Sequence, residues 1–94
     1  MAKGNVVRKW EADPHATFAR RLGKSPTELD GTDGKTGCPD IWELSNGDVA
    51  VIGRDLTPDY VDRLPHGVTV VGDERLVVIP RATIMAAKKD IPDA

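Results

Sequence analysis

Two stretches of alternating or continuous aliphatic residues, 41–52 and 68–79, dominate the hydropathy pattern, and an Ala/Lys-rich segment, 81–90, follows them. The first stretch is broken by Asn46-Gly47, a dipeptide suited to a two-residue type I′ turn. Counting outward from that turn pairs Leu44 with Val49, Glu43 with Ala50, Trp42 with Val51 and Ile41 with Ile52. Period-two alternation then puts Trp42, Leu44, Val49 and Val51 on a core face, with Ile41, Glu43, Ala50 and Ile52 on the reverse. The second stretch reads as a hairpin of Val68–Val71 and Leu76–Ile79 around a four-residue loop, Gly72-Asp73-Glu74-Arg75. That loop length matches Val71 with Leu76 and Val70 with Val77. Pro80 ends the strand and starts a helix whose inner face would carry Ile84, Ala87 and Ile91.

Shorter signals fill the gaps. Asp13, Pro14 and Gly23 mark the start and stop of a short helix with Phe18 and Leu22 on one face. Ser25 and Glu28 have capping-box spacing. Residues 30–37 contain no apolar side chain and three glycines, which predicts a loop. Thr57 and Pro58 open another short helix, closed by Pro65. The pattern predicts an α+β fold: a small antiparallel sheet of about four strands from two hairpins, packed by the C-terminal helix. Residues 1–36 form a flexible basic arm with a short helix and the Gly-rich loop, and residues 37–94 form the compact core.

Composition sharpens this picture. Only 4% of the 94 residues are aromatic, so the core must come from Val, Ile, Leu and Ala. A core of that kind in so short a chain is marginal, and homodimerisation is the expected remedy. The net charge of −2 conceals an uneven split. Residues 1–24 hold six basic and two acidic side chains, a net of +4, and the remainder carries −6. Lys3, Arg8, Lys9, Trp10, Arg20 and Arg21 could therefore meet nucleic acid through phosphate contacts and stacking. The acidic remainder and the absence of a helix-turn-helix or zinc-finger pattern favour a protein partner. The early charges leave no signal-peptide core, and no apolar run approaches a membrane span, so a cytoplasmic protein is expected.

The chemical motifs fail on spacing. Gly34-Lys35-Thr36 resembles the end of a phosphate-binding loop, but Leu29 stands where its first glycine belongs. A calcium loop starting at Asp30 would have Thr32 and Ile41 at its third and twelfth positions. Cys38 has no motif tying it to His15 or His66. No catalytic residue, cofactor or metal ligand is expected. The expected partner surface is instead the reverse face of the first hairpin, with Ile41 and Ile52 as apolar contacts and Arg54 and Asp55 for polar specificity.

Three runs bear a resemblance to known proteins: residues 38–44 (CPDIWEL), 49–55 (VAVIGRD) and 76–80 (LVVIP). Together they are similar to a group of small actinobacterial proteins, loosely BldB-like, many encoded beside helix-turn-helix regulators in streptomycetes. The resemblance spans about residues 37–92. It implies a cytoplasmic, dimeric, non-enzymatic accessory to a transcriptional regulator. Gly53 before Arg54-Asp55 and the ending from Ile79 to Pro92 depart from the BldB-like pattern.

Overall fold

The computed structural model describes residues 10–26, 28 and 39–92. It is a small α+β fold with two antiparallel sheets and two α-helices. Strands β1 (Phe18–Arg21), β2 (Asp40–Leu44) and β3 (Val49–Ile52) form a three-stranded sheet with β2 in the middle. Strands β4 (Arg54–Asp55) and β5 (Val77–Val78) form a two-stranded sheet. Helix α1 (Thr57–Tyr60) runs into a 3-10 turn, Val61–Arg63, and helix α2 (Arg81–Ala87) into a second one, Lys88–Asp90.

The segment after Asp13-Pro14 is a strand and not the expected helix. Asp13 makes a local turn, accepting from the His15 N–H at its side chain and the Ala16 N–H at its carbonyl. The start signal is thus used for a turn, which Asp and Pro serve equally well. Beyond it the backbone finds long-range partners: Ser45 N–H donates to the Thr17 carbonyl, and Leu22 N–H to the Ile41 carbonyl. A helix this short is marginal alone, whereas pairing with β2 satisfies the chain and buries Leu22. The pairing runs Phe18 with Leu44, Arg20 with Glu43 and Arg21 with Trp42, so Ala19 is an inserted bulge residue. The N-terminal segment consequently supplies an edge strand and a core residue, and a boundary at residue 36 does not separate arm from core. Ser25 and Glu28 do bond reciprocally, as their spacing predicts.

The first hairpin forms where expected but one residue out of register. Asp40 pairs with Ile52, Ile41 with Val51, Trp42 with Ala50 and Glu43 with Val49. Its loop has three residues, Ser45-Asn46-Gly47, closed by bonds from Gly47 N–H to the Leu44 carbonyl and from Leu44 N–H to the Asp48 carbonyl. Gly47 (φ 91°) supplies the left-handed residue that such a loop requires, and Asn46 accepts from the Asp48 N–H. The one-residue slip regroups the faces. Ile41, Glu43, Val49 and Val51 share one side, while Trp42, Leu44, Ala50 and Ile52 share the other. Ile41 is only 3% exposed and belongs to the core, contrary to its expected place on an open face.

The second hairpin is not a ladder of Val68–Val71 with Leu76–Ile79. Val71 closes its own turn through the Glu74 N–H and side chain. The following strand pairs with the segment after β3 instead: Arg54 with Val78 and Asp55 with Val77. Leu56 N–H to the Leu76 carbonyl and Leu76 N–H to Thr57 Oγ1 (2.7 Å) extend the contact. Thr57 therefore ties the two segments together and is not the cap of α1. Gly53 sits at the junction, where an added Cβ would stand 2.6 Å from the Val78 carbonyl oxygen and 2.8 Å from an Ile79 methyl carbon. Gly53→Ala is expected to force β4 and β5 apart at a cost of about 2 kcal/mol, lowering the melting temperature by about 10 °C. An unchanged thermal unfolding curve would show that the junction yields freely.

Leu22, Ile41 and Ala87 form the buried apolar cluster, with Ile79 packed against it. Ala87 and Thr83 carry the buried side of α2, whereas Ile84 and Ile91, expected there, are 44% and 48% exposed. The helix comes so close at Gly23 that a side chain there would clash with its backbone. Gly23 (φ 85°) lies directly against the backbone of Ala86 and Ala87.

Candidate interaction surface

The face of the three-stranded sheet that carries Trp42 is organised around one ion pair. The bulge at Ala19 turns Phe18 and Arg21 to the same side as Trp42. Arg21 donates from Nε and Nη2 to the two Asp40 carboxylate oxygens at 2.9 and 3.0 Å. Its guanidinium also lies 4.7 Å from the Trp42 ring centroid, and the Phe18 ring is 5.4 Å from that ring. Asp40 is buried and receives further hydrogen bonds from the Trp42 side chain and the Ile41 N–H. Burial pushes its carboxyl pKa up. The donors and the Arg21 charge outweigh this and hold it below the usual carboxylate value. Bonding to Asp40 in turn raises the Arg21 pKa.

On the opposite face, Arg20 donates to Glu43 at 2.8 Å and to the Asp90 carbonyl at 2.8 Å. Asp90 Oδ2 accepts from the Gly23 N–H, so the 3-10 turn after α2 is fastened both to β1 at Arg20 and to Gly23 just beyond that strand. Among the described residues every buried side-chain nitrogen or oxygen has a partner. The charges of this sheet are committed to one another, an arrangement that orders a scaffold and leaves its apolar residues as the available contacts.

Those contacts are plentiful. Val49, Val51 and Ile52 on β3 are all substantially exposed, as are Val77 and Val78 on β5. Of the expected interface residues, Ile52, Arg54 and Asp55 are exposed, while Ile41 is in the core. Asp55 accepts from the Thr57 N–H, which with the Thr57 side chain lowers its pKa, and lies 4.0 Å from Arg75. Val49 and Val51 are the residues that sequence reasoning missed, because the expected register gave them to the core.

The candidate nucleic-acid residues are not gathered into one patch among the described residues. Arg20 and Arg21 point to opposite faces and are each ion-paired, and Trp10 is exposed. Lys3, Arg8 and Lys9 lie outside the described residues, as do Cys38, Asp30, Asp33 and the Gly34-Lys35-Thr36 run. His15 and His66 are exposed, and no group of three or more His, Cys, Asp or Glu among the described residues could hold a metal ion. No helix among the described residues is long and apolar enough to cross a membrane. No protein-family model, curated protein or solved structure matches the chain.

Proposed function

We propose that this chain is a non-enzymatic protein-interaction module that works as a homodimer and engages a regulatory protein. One observation carries the reading. Among the described residues the buried apolar cluster consists of Leu22, Ile41 and Ala87, while aliphatic side chains of both sheets are exposed. Burying apolar surface contributes roughly 25 cal/mol per Å², so covering those strands would supply stabilisation that the monomer's interior lacks. Exposed apolar surface flanked by polar side chains is the usual mark of a protein contact. The internal pairing of Arg21 with Asp40 and Arg20 with Glu43 fits a structural scaffold better than a reaction centre.

The regulatory assignment rests on the resemblance of residues 37–92 to the actinobacterial group described above. The cytoplasm is the compartment that this reading implies. Sedimentation equilibrium from low to high micromolar concentration tests the dimer directly. The expected result is a mass that rises to twice 10.2 kDa, with a melting temperature that climbs as the protein is concentrated. A single monomeric species with a concentration-independent melting temperature would remove the homodimer from the reading.

A further inference from the structure

We infer that the outer edge of β3, unpaired among the described residues, is the dimer contact, with Val49 and Val51 of one copy paired antiparallel to Val51 and Val49 of a second copy around a twofold axis at Ala50. This rests on the homodimeric reading above and names its surface and register. The backbone geometry selects the residues. Leu44 N–H donates to the Asp48 carbonyl, so Leu44 and Asp48 form a hydrogen-bonded pair. In an antiparallel ladder such pairs alternate, which makes Trp42–Ala50 and Asp40–Ile52 the next bonded pairs. Val49 and Val51 therefore direct their N–H and C=O groups away from β2. On the other flank of β2 the Ile41 carbonyl accepts from Leu22 N–H, in agreement with that alternation.

The two edges of this sheet differ in the way that decides pairing. Strand β1 carries Arg20 and Arg21 and a bulge, the features that keep an edge from recruiting another strand. Strand β3 has four residues, Val-Ala-Val-Ile, with no charge, proline or bulge. Among the described residues β2 is the one element packed extensively along it.

The occupant is a second copy because the strand is self-complementary. Val49-Ala50-Val51 reads the same in both directions, so a twofold axis at Ala50 sets valine against valine twice and opposes no like charges. Each Val49–Val51 pair exchanges two backbone hydrogen bonds, and the small Ala50 side chains meet at the close, non-bonded position. An edge of this length is at the low end of interface sizes, so the dimer forms reversibly with concentration.

A charge-swap experiment on the full chain tests the register. Val49 and Val51 are 54% and 43% exposed, so polar side chains fit there without entering the core. Val49→Lys with Val51→Lys, and separately Val49→Glu with Val51→Glu, would oppose like charges in each homodimer. Each is expected to weaken self-association, read by sedimentation equilibrium, by about tenfold or more. An equimolar mixture of the two should recover association near the wild-type level, because every lysine then faces a glutamate. Wild-type association in both variants would overturn the edge contact while leaving a dimer through another surface. Weakened variants that do not recover on mixing would overturn the twofold register. A wild-type chain that is monomeric throughout would overturn both the contact and the homodimer. Should a double variant lose its circular dichroism spectrum, Val49→Lys alone gives the answer: weakened association supports the edge, and unchanged association overturns it.

Discussion

Gly23→Ala is expected to destabilise the protein by about 3 kcal/mol. Two effects combine. Gly23 has φ 85°, a left-handed conformation that costs an L-residue about 1 kcal/mol or more. The added Cβ would also stand 2.8 Å from the Ala87 nitrogen and 2.9 Å from the Ala86 carbonyl carbon, contacts with backbone that no rotamer change relieves. Helix α2 would have to lift from β1, and the buried trio of Leu22, Ile41 and Ala87 would open with it. A domain of this size has only a few kcal/mol to lose, so the variant should be largely unfolded at 37 °C. Urea denaturation followed by circular dichroism checks this. Gly47→Ala is the internal control, since Gly47 has φ 91° but nothing within 4 Å of an added Cβ. It should cost about 1 kcal/mol. Equal losses at the two positions would mean that the approach of α2 contributes nothing.

Arg21→Ala is expected to cost about 2 kcal/mol and to make the protein more sensitive to acid. The substitution strands the buried Asp40 carboxylate with the Trp42 side chain and the Ile41 N–H as its remaining donors. The Arg21 side chain is 36% exposed, so water partly screens the pair, and the cost stays below that of a fully buried one. The sign of the pH effect follows from the direction of the shift. In the folded wild type the Asp40 carboxyl lies below its ordinary value, so its contribution is complete above about pH 4 and is lost as the pH falls through the folded value. Without Arg21, burial dominates and the folded pKa rises, so stability should start to fall at a higher pH. Asp40→Asn should remove this carboxylate's share of the pH dependence altogether. Acid titrations of the three proteins, followed by tryptophan fluorescence, would expose the error if the Arg21→Ala midpoint coincided with that of the wild type.

Several local devices are readable from neighbouring residues alone. Asn46-Gly47 turns the chain, Ser25 and Glu28 bond reciprocally, Pro58 lies in the first turn of α1, and Pro80 immediately precedes α2. Each depends on a side chain or a φ preference that acts within three or four residues, and so survives whatever the rest of the chain does. The mixed α+β class follows from the same local signals.

Partnership is another matter. Residues 41–52 are apolar on both faces, so alternation could not choose which side is buried. A loop longer by one residue put Ile41 on the face that carries the buried cluster, while Val49 and Val51 on that same face stay exposed on the edge strand. A cue to β3 was present in the uncharged palindrome Val49-Ala50-Val51, but it has meaning only once that strand is known to lie at an edge. Asp13-Pro14 suits a turn as well as a helix, and the bonds that decided between them come from Ser45 and Ile41, about twenty to thirty residues away. Likewise Leu76–Val78 had two candidate strands to join and took the one that also brought Thr57 Oγ1 to the Leu76 N–H.

By itself the sequence determined the turn at Asn46-Gly47, the starts of α1 and α2 beside Pro58 and Pro80, and how few aromatic residues the chain has to bury. Only the tertiary structure decided which strand is an edge, which isoleucine is core and which arginine meets which carboxylate. The physical reason is that backbone hydrogen bonds are nearly interchangeable between candidate strands. The choice is made by side-chain burial summed over residues far apart in sequence.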